Sequence, residues 1–131
     1  MVRWHLTRDR MHFNRHLGIR IVRKYRDGVT IECPLRPELM NLHGVLHGGV
    51  TATMADVAVG MAIMHHFDGQ RKATTVEMKI NYFAPVTGKK LIARSKLLRI
   101  GATLVVGRAD LLNEHRKLVG AALVTYMLLK A

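Results

Sequence analysis

The longest apolar run of the chain covers residues 50–64 and is rich in Ala and Met, two good helix formers. Apolar residues lie on almost every side of this predicted helix rather than along one stripe, so we expect most of its surface to be buried. The run is too short to span a bilayer, and it contains one carboxylate, Asp56. Because an Asp is rarely buried without a partner or a function, Asp56 is the first candidate for chemistry.

Shorter segments rich in β-branched residues predict strands on both sides of this helix. Arg26-Asp27-Gly28 predicts the turn of a hairpin between the first two strands. In the third strand, period-two alternation puts Val76, Met78, Ile80 and Tyr82 on one face and Thr75, Glu77, Lys79 and Asn81 on the other. The predicted strands are residues 18–25, 29–33, 73–83, 89–100, 103–112 and 118–129.

Residues 4–17 predict a short amphipathic helix before the first strand. The predicted order is therefore a short helix, two strands, the long apolar helix and four strands. A helix that is apolar on all sides requires a surface around it, and a strongly curved antiparallel sheet of five to six strands supplies one. We expect an α+β fold in which a single domain covers residues 1–131.

Gly48 and Gly49 stand at the predicted start of the long helix. Backbone N–H groups there lack intrahelical partners and carry partial positive charge, so the two glycines suit an oxyanion, or they simply ease packing of the helix entry. Asp56 follows Gly48 by eight positions, or about 12 Å along a helix axis, which is too far for one reacting group to touch both. If both act on one carbonyl, the Asp must come from a second copy of the helix in a two-fold dimer.

The pattern Asn41-x-x-Gly44-x-x-His47-Gly48-Gly49, followed by Asp56, resembles the hotdog-fold acyl-CoA thioesterases. The likeness is greatest to the phenylacetate-degradation (PaaI-type) branch, which includes proteins like thioesterase superfamily member 2. The resemblance is specific from Asn41 to Asp56, weaker over residues 73–88 and diffuse from residue 89 to the end, and residues before Asn41 fit the family only in their pattern. It implies a hotdog fold and the hydrolysis of an acyl-CoA, with an aryl or a short or medium-chain acyl group, to a carboxylic acid and free CoA.

The resemblance also implies roles for individual residues. Asp56 acts as nucleophile on the thioester or as general base on water, and the backbone N–H of Gly48 polarises the thioester carbonyl. Asn41 orients the thioester or the water, and His47 contacts the thioester or braces its loop. Thr75, rather than its neighbour Thr74, positions the attacking water.

Coenzyme A is part of the substrate, so no separate cofactor is expected. The resemblance points to phosphate contacts at Gly49, Lys89, Lys90, Arg99 and Gly101, and the apolar Met61, Met64 and Phe67 are candidates for the acyl pocket. It further implies a homodimer, assembled as a dimer of dimers.

The net charge of +12 predicts polyanionic partners, among them nucleic acid, an anionic membrane surface or a phosphate-bearing molecule such as CoA. No recognised nucleic-acid motif accompanies the charge, so nucleic acid is not the expected partner. The single cysteine, Cys33, excludes an internal disulfide and, with no secretory or membrane segment, suggests a cytoplasmic protein. His43 and His47 lack a third ligand, so no metal site is expected.

Two other functions compete with hydrolysis. One is an acyl-thioester dehydratase or hydratase of the same fold, although those enzymes use a His with a Glu or Asp in different motifs. The other is a non-catalytic protein that binds acyl-CoA or nucleic acid, in which Asp56 would be idle. Release of free thiol from an acyl-CoA distinguishes hydrolysis from both.

Overall fold

The computed structural model describes residues 12–130, and these form two helices, a 3₁₀ turn and six strands. In chain order the elements are α1 (Phe13–Leu17), β1 (Arg20–Tyr25), β2 (Gly28–Pro34), the 3₁₀ turn (Pro37–Leu39), α2 (Gly48–His66), β3 (Ala73–Tyr82), β4 (Lys90–Ile100), β5 (Leu104–Leu112) and β6 (Leu118–Leu128). The predicted short helix is present only as α1, since residues 4–11 lie outside the described part. None of the helices in residues 12–130 is long and apolar enough to cross a membrane.

The six strands form one antiparallel sheet in the order β1-β2-β4-β5-β6-β3. Helix α2 lies across this sheet and contacts its strands from β2 to β3. The chain between β2 and β3 consists mainly of α2, so β3 returns at the far edge of the sheet, beside β6. The predicted α+β architecture, with one long helix packed on an antiparallel sheet, is therefore confirmed.

The helix buries one face on the sheet. Its fully covered residues follow helical spacing and are Thr51, Met54, Ala55, Ala58, Val59, Ala62 and Ile63. They pack against inward-facing side chains of the sheet such as Ile31, Leu91, Leu111 and Val124. The long helix is buried as expected: of its 19 residues only Gly49, Met64 and His66 are exposed, and Met64 is the most apolar of these, with 51% of its surface exposed.

Strand β3 contains an irregularity that alternation cannot predict. Its register with β6 runs from Thr75 opposite Tyr126 to Glu77 opposite Thr125, so Val76 is an extra residue, a β-bulge. The bulge turns Thr75 to the helix side of the sheet, where Met78 and Ile80 also pack. The predicted placement of Thr75 on the face of Glu77 and Lys79 is therefore wrong, and Val76 itself is exposed.

Candidate active site

Asp56 lies half-buried in the third turn of α2 and is held by two hydroxyl groups. Thr75 Oγ1 donates a hydrogen bond of 2.7 Å to Asp56 Oδ1. The hydroxyl of Tyr126 lies 2.9 Å from the same Oδ1 and 2.8 Å from the backbone oxygen of Asp56. No side chain or backbone group in residues 12–130 bonds to Oδ2, so this oxygen is available for a substrate or a water.

The sheet brings the two hydroxyls together. Thr75 on β3 and Tyr126 on β6 are direct cross-strand partners, so their side chains stand next to each other on one face. They do so only because Val76 is bulged; in a regular strand Val76 would lie opposite Tyr126 and Thr75 would face away from α2. Thr74, the alternative candidate, lies on the outer face, opposite Met127.

Tyr126 is absent from the residues proposed from the sequence. Burial is the main factor that raises the pKa of its hydroxyl; a hydrogen bond with Thr75 lowers this pKa, and the negative charge of Asp56 raises it again. The hydroxyl therefore stays protonated at neutral pH and acts as a hydrogen-bond donor. The available signal was a lone tyrosine at an inward position of β6, where its neighbours on that face are aliphatic.

The start of α2 provides a different set of groups. His47 is the N-cap residue, and its Nδ1 accepts a hydrogen bond of 2.8 Å from the N–H of Gly49. Only one of the two expected donors is therefore free, because the N–H of Gly49 is already bonded to the His47 side chain. Within residues 12–130 the N–H of Gly48 has no acceptor, and Tyr82 donates to the Gly48 carbonyl at 2.8 Å. Gly48 thus offers a free donor at the positive end of the helix dipole.

Asn41 shapes the loop that leads into α2. Its Oδ1 accepts hydrogen bonds from the N–H groups of His43, at 2.8 Å, and Val45, at 3.3 Å. The amide oxygen is therefore committed to a turn, a common role for a loop Asn. Its NH₂ group makes no hydrogen bond within the described chain and is the part left for a substrate.

An open cavity of about 280 Å³ lies beside the start of α2. Its lining residues are Leu46, Gly48, Thr51, Tyr82, Phe83, Ala84, Pro85 and Val86. The three side chains proposed for an acyl pocket do not line it. Met61 packs partly on the core, Met64 is exposed, and Phe67 lies beyond the end of α2.

The four residues proposed for the CoA phosphates besides Gly49 fall into two groups. Lys89 and Lys90 lie at the start of β4, and Lys90 Nζ forms a 2.8 Å ion pair with Glu32. Arg99 and Gly101 lie at the other end of the same strand, roughly 30 Å away for a strand of this length. One protomer cannot bring both groups to a single phosphate cluster.

Asp56 and Gly48 are on one helix, about 12 Å apart along its axis. A thioester carbonyl that touches the Gly48 N–H is therefore out of reach of the Asp56 of the same protomer. No group of three or more His, Cys, Asp or Glu side chains in residues 12–130 is arranged to hold a metal ion.

The sequence profile of the Thioesterase superfamily matches residues 43–120. The chain therefore belongs to the thioesterase superfamily, which places it among thioester hydrolases. The matched segment contains Gly48, Asp56 and Thr75, whereas Tyr126 follows its end.

The chain is similar to proteins that are named acyl-CoA thioesterases. The medium/long-chain acyl-CoA thioesterase YigI of Escherichia coli is 29% identical over 89% of this chain and 85% of its own length. Human acyl-coenzyme A thioesterase 13 is 34% identical over 78% of this chain and 74% of its own. Among solved structures, a thioesterase family protein from Silicibacter pomeroyi superposes with a TM-score of 0.86 at 26% identity, covering 97% of this chain and 96% of that one.

Proposed function

We propose that this protein is an acyl-CoA thioesterase, which converts an acyl-CoA and water into a carboxylic acid and the free thiol of CoA. The observation that carries the proposal is Asp56, whose Oδ1 is fixed by Thr75 and Tyr126 while Oδ2 has no partner among the described residues. A carboxylate with one oxygen fixed and the other open suits attack on a carbonyl or abstraction of a proton from water.

The geometry favours a site shared by two protomers in a homodimer. The Gly48 N–H of one protomer would polarise the thioester carbonyl, and Asp56 Oδ2 of the other would act on the carbonyl carbon. As general base, Oδ2 takes a proton from the attacking water; as nucleophile, it forms an anhydride that water then cleaves. In both routes the C–S bond breaks, and the thiolate leaves and takes up a proton. Further assembly into a dimer of dimers remains a prediction from the resemblance.

The cavity beside Gly48 is the place we assign to the thioester end of the substrate. Leu46, Phe83, Pro85 and Val86 give it apolar walls next to the free N–H group. The high positive charge of the chain suits the phosphates of CoA. The name of the E. coli relative specifies medium and long acyl chains. The test substrates therefore include acyl-CoAs with medium and long chains as well as those with aryl and short acyl groups.

The test is release of free thiol from this acyl-CoA panel by wild type and by Asp56→Asn. We expect the wild type to release thiol and the variant to lose at least about 1000-fold in kcat, because Asn can neither take the proton nor form the anhydride. The matched control is Asp110→Asn, since Asp110 pairs with Arg108 on the outer face of β5. An Asp56→Asn variant that turned over like wild type would contradict the assignment, and a hydratase would release no thiol.

A further inference from the structure

We propose that Tyr126, seated in the space that Gly60 leaves open on α2, is a positioning residue for Asp56. Its hydroxyl fixes the Asp56 carboxylate so that Oδ2 points to the reacting carbon or water. The inference rests on the proposed function, because it assigns Tyr126 a task in that reaction.

Tyr126 lies on the sheet and contacts helix α2. The residue lies on β6 between Thr75 on β3 and Val105 on β5, and it is only 8% exposed. A buried hydroxyl requires a hydrogen-bond partner, and this one has two acceptors within reach, both on Asp56. The position of the Tyr126 hydroxyl is therefore set by its contacts with Asp56, the proposed catalytic residue.

Gly60 explains how a tyrosine hydroxyl fits against a helix. It follows Asp56 by one turn, and a Cβ atom at this position would lie 2.6 Å from the Tyr126 hydroxyl oxygen and 3.1 Å from its Cζ. A glycine in the middle of a helix is unfavourable compared with alanine, so its presence here has a structural cause. The missing methyl group is the space that the hydroxyl occupies.

Two donors on one carboxylate oxygen have a specific consequence. Rotation of an Asp side chain about its last bond is normally broad and exchanges its two oxygens. Thr75 donates to Oδ1, and the single proton of the Tyr126 hydroxyl is shared between Oδ1 and the backbone oxygen of Asp56. Exchange of the two carboxylate oxygens would break the Thr75 hydrogen bond and the Tyr126 contact with Oδ1, so Oδ2 is kept on the open side. Tyr126 does not line the cavity, so its loss should affect the chemical step rather than the binding of substrate.

The first variant is Tyr126→Phe, which removes the hydroxyl and keeps the ring. We expect kcat to fall about 10- to 100-fold, as for a displaced catalytic group, while KM stays within about two-fold. Tyr25→Phe is the matched control, because Tyr25 also loses a hydroxyl contact, with Thr30, but lies on β1 at the opposite edge of the sheet. A normal kcat in Tyr126→Phe, with only a lower melting temperature, would show a purely structural tyrosine.

The second variant, Gly60→Ala, leaves Tyr126 intact but fills its space. The new methyl group displaces the Tyr126 hydroxyl, so a similar fall in kcat is expected if the position of that hydroxyl matters, and a kcat like that of wild type would contradict the proposal. In the double variant the two falls should not multiply, since phenylalanine has no hydroxyl for the new methyl group to displace. Multiplying effects would mean independent roles and would overturn the proposal.

Asp56→Asn in the same assays separates this inference from the proposed function. If Asp56→Asn is inactive and Tyr126→Phe is normal, the carboxylate acts without Tyr126 and only the inference fails. If Asp56→Asn itself retains turnover, the proposed function fails with it. Inactive Asp56→Asn with impaired Tyr126→Phe supports both.

Discussion

At the scale of single residues, the proposed reaction depends on which carboxylate oxygen of Asp56 has no hydrogen-bond partner in residues 12–130 and can reach the substrate. Thr75 reaches the carboxylate from the edge strand β3, and Tyr126 reaches it from the neighbouring strand. Thr75 is the more exposed of the two, so its hydroxyl can also accept a hydrogen bond from a water beside Oδ2. One side chain then holds the carboxylate and orients the attacking water.

Substitution of Thr75 by Val tests this role, because Val has the same shape without the hydroxyl and suits a strand. We expect kcat for thiol release to fall about 10- to 100-fold, while Thr75→Ser, which keeps the hydroxyl, stays within a few-fold of wild type. Thr74→Val is the control on the outer face of the same strand. Equal losses in Thr74→Val and Thr75→Val would contradict the assignment.

The sequence reveals Asp56 and Gly48 because both lie in one continuous motif and on one helix. Tyr126 stands 70 residues after Asp56 and meets it only through the pairing of β6 with β3. No pattern of neighbouring residues in the sequence predicts a contact between two residues so far apart. The role of Gly60 depends on Tyr126, so it is hidden for the same reason.

At the scale of elements, the bulge at Val76 decides which residues face α2. Alternation predicts the strand and its length well, but a single extra residue reverses the faces on one side of it. The bulge contains no glycine or proline that would mark it in the sequence. Likewise, the apolar pattern of α2 predicts the buried helix correctly but does not show which of its sides faces the sheet.

Helix α1 covers the single cysteine, which lies on β2. The Cys33 Sγ is fully buried and lies 3.3 Å from the carbonyl oxygen of Leu17, the last residue of α1. Burial raises the pKa of the Cys33 thiol, so at neutral pH the thiol is protonated and poorly nucleophilic.

We therefore expect native protein to react slowly with an aromatic disulfide reagent at pH 7. One equivalent of aromatic thiol per chain should be released only after the protein is unfolded in guanidinium. Because the raised pKa keeps thiolate scarce, the rate should increase as the pH rises towards that pKa. Free glutathione at equal concentration serves as the control for the reagent. Complete rapid labelling of native protein would mean that α1 does not cover Cys33.

At the scale of the whole molecule, the two proposed catalytic groups of one chain are too far apart to act on the same thioester. The free N–H of Gly48 and the carboxylate of Asp56 belong to one helix but are about 12 Å apart along it. The helix face away from the sheet is only partly covered, and β3 has a neighbour on one side only. A second copy related by a two-fold axis would cover this side and bring the Asp56 of one protomer to the Gly48 of the other.

Complementation between two inactive variants tests the shared site. Asp56→Asn removes the carboxylate, and Gly48→Pro removes the N–H at a position where helices accept proline; His47, with ψ of 131°, already has the extended backbone that precedes a proline. Each variant alone should be inactive. A heterodimer purified through two different tags should regain about half of the wild-type turnover, because one of its two sites combines an intact Asp56 with an intact Gly48. Pairing either variant with an Asp56→Asn/Gly48→Pro double variant gives no intact site and is the control. A verified heterodimer that stays inactive would show that the two groups do not meet across protomers.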